Sequence, residues 1–294
     1  MTTIVAWFNE ENGTKVPWIV VDGRVRELKG SGNQGILTDC YPKLQEVPIV
    51  LYKCVSNGME YDMTYSIGLA FAGNTLTAAS TCETFQHIVS RLNGSRPGQG
   101  PSLKEISEIL REIYIFHRNE LRSRAGSITE NNYAAEFIIA GYCHIVGCWK
   151  IFQIVDCVEV IINEFTAVDP LVIGSDRDDI FRLIQEKREE KEKESIWFHR
   201  APLSVMANFC DASDSGTGGY ISFGAGQYNC NDFQKYALSD ISLDESGDII
   251  SKLTVNGFDA SKVKNIIKDY NFFGFGLDAV PFGEKVKQLR NLKL

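Results

Sequence analysis

Thr2-Thr3-Ile4-Val5-Ala6-Trp7-Phe8 is followed, across the polar, glycine-bearing stretch Asn9-Glu10-Glu11-Asn12-Gly13-Thr14, by Pro17-Trp18-Ile19-Val20-Val21-Asp22. Two short runs rich in β-branched and aromatic residues on either side of a turn signal read as an antiparallel hairpin. A second hairpin is expected further on, where the apolar segments 47–54 and 65–72 flank Ser56-Asn57-Gly58. Helices follow, the first over 75–92. After the breaker stretch 93–101, Ser102 is placed to cap the second helix, with Glu105 at the capping-box position, and that helix is expected to run to about Arg124. Ile106, Ile109, Leu110, Ile113 and Phe116 recur on it at helical spacing, which marks a face turned to a core.

Strand character returns at 135–146, 148–155 and 158–164, and 171–175 leads into a helix from about Asp176. That helix is expected to carry the charge run 186–194 on a solvated face, with pairs such as Glu189 and Lys193. A fourth helix is expected at 202–211, a strand at 220–223, polar loops beyond Ser239, and a helix at 260–270. Strands and helices thus come in separate blocks, strands, two helices, strands, two helices, strand. Segregated blocks predict layered α+β packing instead of a doubly wound parallel sheet.

A chain of 294 residues, 44% hydrophobic and 23% charged with a net charge of −8, is composed like a globular protein with a sizeable core. Single domains run to roughly 200 to 250 residues, so one large domain with an extension fits this length. No basic stripe offers the concentrated positive field that nucleic acid requires. No uninterrupted apolar run approaches a membrane span, and 1–6 lacks the basic and long apolar regions of a secretory signal, so a cytoplasmic location is expected. The eight cysteines form no CxxC pair. Cys143, His144 and Cys148 do not read as a metal site, because adjacent strand residues point to opposite faces and no fourth ligand accompanies them.

The chemistry starts at the N-terminus. A threonine hydroxyl becomes a nucleophile when a base takes its proton, and the α-amine of an N-terminal threonine, with a reference pKa of about 7.7 to 8.0, is one such base. A nearby lysine would push that amine toward its neutral form. Thr2 occupies this position once Met1 is removed. Asp22 before Gly23 reads by itself as a turn residue, Lys43 as a surface charge and Gly174-Ser175 as a helix cap. Their order along the chain gives them a different meaning. The loop 213–219 is glycine-rich but precedes a strand and lacks the Gly-Lys-Ser/Thr ending of a phosphate cradle.

Thr2-Thr3-Ile4-Val5-Ala6, Val20-Val21-Asp22-Gly23-Arg24, Tyr41-Pro42-Lys43-Leu44, residues 68–75 ending in Gly73-Asn74-Thr75, Ile138-Ile139-Ala140-Gly141-Tyr142 with Ile173-Gly174-Ser175, and Asp214 with Thr217-Gly218-Gly219 follow one another in this order. In this order they resemble landmarks of the proteasome β-subunits and HslV-type proteases, the proteasome-like N-terminal-nucleophile (Ntn) hydrolases, over 2–223. The resemblance implies a four-layer αββα sandwich of two antiparallel sheets flanked by helices, in a domain over 2–238 with a C-terminal extension over 239–294. It also implies a self-compartmentalising threonine endopeptidase. Thr2 would attack the peptide carbonyl, Lys43 would lower the hydroxyl pKa, Asp22 would hold Lys43, and the Gly73 amide would stabilise the oxyanion. Ser175, Asp214 and Thr217 would hold the N-terminal amine and a water.

Two substrate-binding positions follow from the same resemblance. Arg26 stands where the family usually has a small hydroxyl residue near the substrate backbone, and Phe71 matches the base of the primary specificity pocket. Lys43 lies further past Asp22 than the family spacing, leaving Lys29 as the competing lysine, and an insertion over 53–65 must be absorbed. Expected partners are a peptide or unfolded-protein substrate, identical subunits in a ring and an ATP-dependent unfoldase, with no nucleic acid, membrane, metal or cofactor. Two other readings use the same residues, an Ntn amidohydrolase acting on a small amide and a catalytically silent structural subunit.

Overall fold

A computed structural model describes residues 2–11, 13–26, 35–94, 98–124, 133–157, 159–211, 217–236, 238–243, 249–256 and 258–259. The first hairpin is formed by β1 (Thr3–Asn9) and β2 (Val16–Val21), with Ile4 opposite Val21 and Asn9 opposite Val16. Strand alternation sends Ile4, Ala6, Ile19 and Val21 to one side and Val5, Trp7, Trp18 and Val20 to the other, and all eight are buried. A hairpin that is apolar on both faces must be covered on both, and this requirement shapes the rest of the chain.

After the short pair β3 (Val25–Arg26) and β4 (Ile36–Thr38) comes a long hairpin, β5 (Leu44–Val55) and β6 (Gly58–Gly73), which turns at Ser56 and Asn57 as expected. Residues 53–65, expected as an insertion, lie at its outer end, where 52–64 are exposed or half-buried. Helix α1 (Thr75–Val89) is capped by the Asn74 side chain, which accepts the Thr77 N–H at 2.8 Å. The two-residue strand β7 (Leu92–Asn93) joins it to α2 (Leu103–Arg124). The capping box of α2 is closed reciprocally, Ser102 N–H to Glu105 at 2.7 Å and Glu105 N–H to the Ser102 hydroxyl at 3.2 Å.

Strands β8 (Ala135–Cys143), β9 (Cys148–Asp156) and β10 (Val160–Phe165) form a meander, and β11 (Leu171–Gly174) crosses to pair with β1. Then come α3 (Arg177–Glu189), α4 (Ile196–Asp211), β12 (Ser222–Gly226), β13 (Phe233–Tyr236) and a small sheet of β14 (Leu238–Leu243), β15 (Ile249–Val255) and β16 (Phe258–Asp259). The large sheets run β11-β1-β2-β12-β13 and β10-β9-β8-β6-β5-β7.

Three apolar clusters account for the cover. Between the sheets, Ile4, Ala6, Ile19 and Val21 meet Leu44, Ala70, Ala72, Ile138 and Ala140. On the outer side of the five-stranded sheet, Val5, Trp7 and Val20 pack with Ile180 and Ile184 of α3 and Leu203 and Met206 of α4. Outside the six-stranded sheet, Ile67, Leu69 and Phe137 pack with Cys82 and Phe85 of α1 and Ile106, Leu110 and Tyr114 of α2. Each buried valine, leucine, isoleucine, phenylalanine or methionine among them contributes about 1.5–3 kcal/mol by leaving water.

Several sequence expectations are corrected. Helix α3 stops at Glu189, so Glu189 and Lys193 share no helical face; the chain turns and restarts where the Ser195 hydroxyl accepts the Trp197 N–H. Helix α4 starts at Ile196, with Pro202 in its interior instead of at its start. Proline has no N–H for the Phe198 carbonyl, and the neighbouring His199 carbonyl accepts the Trp7 indole N–H at 2.9 Å. Helix α1 ends at Val89, the strand expected at 220–223 runs from Ser222 to Gly226, and polar loops were expected where β14 and β15 lie. The helix expected at 260–270 lies outside the described residues.

The small sheet is fastened by Asn256, whose amide oxygen accepts the Ser222 hydroxyl at 2.8 Å and the Lys235 ammonium at 2.9 Å. Lys235 also bonds the Leu44 carbonyl, and burial pulls its pKa down to about 8 against the pull of Glu46.

Strand β11 presses hard on the start of β1. Gly174 has φ +103°, and a Cβ there would lie 1.8 Å from the Thr2 carbonyl oxygen. Gly174→Ala is therefore expected to cost more than about 2 kcal/mol of stability in urea unfolding. Gly13→Ala, at φ +72° with open space around it, should cost only about 1 kcal/mol. Equal losses would mean that crowding at Gly174 does not matter.

Candidate functional site

The end of the first hairpin brings Asp22 beside the first residues of the chain. Its N–H donates to the Thr3 carbonyl at 3.3 Å, and its carboxylate accepts the Thr3 N–H at 2.9 Å. Asp22 is 1% exposed, and its second oxygen accepts the N–H groups of Arg24 at 3.2 Å and Gly218 at 3.3 Å. Lys43, equally buried, lies 3.3 Å from both oxygens and also donates to the Arg24 carbonyl. It is held there by its own backbone. Tyr41 N–H bonds the Gly23 carbonyl at 2.9 Å and Phe71 N–H bonds the Lys43 carbonyl at 3.2 Å, just before β5 enters its sheet.

Burial is the largest influence on both charges. It raises the Asp22 carboxyl above its ordinary pKa, against Lys43 and the amide donors, and lowers the Lys43 ammonium, against the attraction of Asp22. A lysine shifted downward gives up and takes back a proton more readily than a solvated one.

Thr2 is buried, and its carbonyl accepts the Ser175 N–H at 3.2 Å. By strand alternation Thr2 shares the face of Ile4 and Ala6, the side on which Leu44 meets them. Thr3 takes the other side. Its hydroxyl lies 2.6 Å from the Thr217 hydroxyl, and Thr217 donates both its hydroxyl and its N–H, the latter at 2.9 Å, to the Asp176 carboxylate. The Thr217 proton is thus committed to Asp176, so Thr3 is the donor in the Thr3–Thr217 bond.

Of the expected site residues, Thr2, Asp22, Lys43, Ser175 and Thr217 come together around the start of β1. The Ser175 side chain is exposed, and its link to Thr2 runs through the backbone. Gly73 ends β6, exposed, with φ +103°, and a Cβ on it would lie 2.5 Å from the Ala134 carbonyl oxygen. Only glycine fits this turn. Arg26 is half-buried in β3, opposite Ile36. Phe71 is buried in the core against Phe137, with the Tyr41 ring edge-on at 6.2 Å. Met1, Lys29 and Asp214 lie outside the described residues. Cys143 and Cys148 face each other across the β8–β9 hairpin.

Two participants escaped the sequence reading. Asp176, adjacent to Ser175, reads as a helix N-cap, yet makes no side-chain cap bond to α3 because its carboxylate serves Thr217. Arg24 lies buried over the Thr217-Gly218-Gly219 loop and pairs with Asp39 at 2.7 Å. Among the described residues no three His, Cys, Asp or Glu side chains are placed to hold a metal, and no described helix is long and apolar enough to cross a membrane.

No known protein-family model matches the chain, and no curated protein sequence does. Solved structures do match. The helical assembly of the Anbu complex from Pseudomonas aeruginosa is 13% identical, with a TM-score of 0.50 over 93% of this chain and 98% of that one. An Anbu mutant from Hyphomicrobium sp. strain MC1 is 13% identical, with a TM-score of 0.48 over 94% and 100%. A BPH protein from Thiobacillus denitrificans, in complex with epoxomicin, is 13% identical, with a TM-score of 0.43 over 76% and 97%. Identity this low speaks to the fold alone, and the chain shares its fold with the Pseudomonas Anbu protein.

The buried pair predicts a specific thermodynamic pattern. Lys43→Met, which strands a buried carboxylate, is expected to cost about 3–5 kcal/mol. Asp22→Asn combined with Lys43→Met should recover most of that. Urea unfolding of the single and double variants decides it, and strictly additive losses would show that the two charges are not coupled.

Proposed function

We propose that this chain is a self-compartmentalising threonine endopeptidase whose nucleophile is Thr2, N-terminal after loss of Met1. The observation that carries the reading is the buried Asp22–Lys43 pair beside the Thr2–Thr3 start of a central strand. A lysine fully removed from water is costly to keep, and such groups concentrate where a proton must move. In the proposed reaction the Thr2 hydroxyl proton passes to the chain's own α-amine as the oxygen attacks the peptide carbonyl. The Lys43 charge favours the developing alkoxide and the Gly73 amide takes the oxyanion. The departing amine carries off the proton, and water then hydrolyses the Thr2 ester and regenerates the hydroxyl.

In this reading Ser175, Asp214 and Thr217 hold the amine and the attacking water, Arg26 borders the substrate backbone, and Phe71 sets the depth of the pocket for the residue before the scissile bond. The four-layer αββα arrangement is supported by the three core clusters. Residues 2–238 form the hydrolase domain, and 239–294 the extension. Identical subunits in a closed assembly, with an unfoldase feeding unfolded protein in the cytoplasm, complete the proposal.

The test is the intact mass of the purified protein before and after a peptide epoxyketone, which reacts with both the amine and the hydroxyl of an N-terminal threonine. Loss of Met1 and one adduct per chain, absent in Thr2→Ala, is the expected result. Retained Met1 without adduct would favour a silent structural subunit, and turnover of small amides without any of peptides would favour an amidohydrolase. A finer expectation concerns Phe71. Phe71→Ala should raise kcat/KM for peptides bulky before the cleaved bond relative to small ones, and an unchanged ratio would remove Phe71 from specificity.

A further inference from the structure

Behind the Gly73 turn lies a buried polar group on a different element. Tyr114, in the middle of α2, is fully buried, yet its phenol donates to the Asp156 carboxylate at the end of β9. The same oxygen accepts the Ala135 N–H at 2.9 Å. Arg118, one turn further along α2, engages the other Asp156 oxygen. Burial and the bond to Asp156 raise the Tyr114 pKa, so the proton stays on the phenol and the lone pair stays directed at Ala135.

Ala135 is the partner of Gly73 in the β6–β8 ladder. The preceding residue, Ala134, accepts the Asn74 N–H at 2.8 Å. A Cβ on Gly73 would lie 2.5 Å from the Ala134 oxygen and 2.9 Å from the Ala135 Cα, so the turn rests on this backbone with no space between them. The position of the Gly73 amide is thus set by the 134–135 segment, and the position of that segment by a hydroxyl on α2.

We infer that Tyr114 is a positioning residue for the Gly73 turn, acting through Ala135 without touching substrate. This rests on the proposed role of the Gly73 amide as oxyanion donor. Donors of that kind act only when fixed to within a fraction of an ångström of the developing charge. Nothing in the residues near the turn could have suggested this, because the anchor arrives from a helix on the far side of the sheet.

The experiment compares Tyr114→Phe, which removes only the oxygen, with Leu103→Ala, a core truncation at the start of α2, beside Gly141 near the end of β8 away from Ala135. Both are assayed as the full chain, well below their thermal midpoints. Tyr114→Phe is expected to lower kcat and the rate of epoxyketone inactivation by roughly 10- to 100-fold with KM unchanged. Leu103→Ala should leave both close to wild type. Equal loss in the two variants, or a Tyr114→Phe loss confined to KM or to thermal stability, would overturn the inference. Hydrogen exchange separates this from the fate of the proposed function. Faster exchange at the Ala135 and Asn74 amides in Tyr114→Phe is expected even if the wild-type chain never reacts with the epoxyketone, whereas unchanged exchange there refutes the anchoring itself.

Discussion

The rest of the structure depends on a buried ion pair. Asp22 and Lys43 are each almost wholly removed from water, which on its own costs several kcal/mol per charge. Their attraction offsets that only because the remaining hydrogen-bonding capacity is also filled. Asp22 accepts three backbone N–H groups from separate places, the start of β1, Arg24 after β2, and the loop before β12. Lys43 in turn reaches back to the Arg24 carbonyl. A carboxylate with so many obligations can be accommodated in one arrangement of the chain, so the pair acts as a specification of geometry more than as a source of stability.

The surroundings of the pair are organised to the same end. Both faces of the first hairpin are apolar, so one sheet face is covered by the second sheet and the other by α3 and α4. The start of β1 is therefore held on one side by β11, whose Gly174 admits the Thr2 carbonyl, and on the other by the Thr3–Thr217–Asp176 hydrogen-bond chain. Asp176 forgoes its helix cap to serve this chain. A residue that gives up a local bond for a distant one indicates where the fold has been shaped by something other than its own stability.

What the sequence discloses is what is local. The turn at Ser56-Asn57, the reciprocal bonds of Ser102 and Glu105, and the alternation of β1 and β2 are all decided within a few residues, and all are found where expected. The end of α3 was not legible, because a mixed charge run has high helix propensity and the turn that breaks it owes its place to packing of α3 against α4. The start of α4 at Ile196 is likewise not legible, because proline favours first turns and Pro202 lies instead in the helix interior. The site divides the same way. Thr2, Asp22, Lys43, Gly73, Ser175, Asp214 and Thr217 are expected from their order along the chain, while the contacts of Asp176, Arg24 and Tyr114 join elements far apart in sequence.

Those separations have a consequence of their own. The Thr3–Thr217 bond closes 214 residues of chain and the Gly218–Asp22 bond 196. Contacts of such high order come late in folding, since the entropy of closing the loop is lost before any contact is gained. On a ribosome adding about 5–20 residues each second, the first strand waits roughly 10 to 40 s for its last partner. During that interval the head of β1 has neither the Thr217 hydroxyl nor the Gly218 amide beside it, so the order of synthesis itself delays completion of the hydrogen-bond network around Asp22.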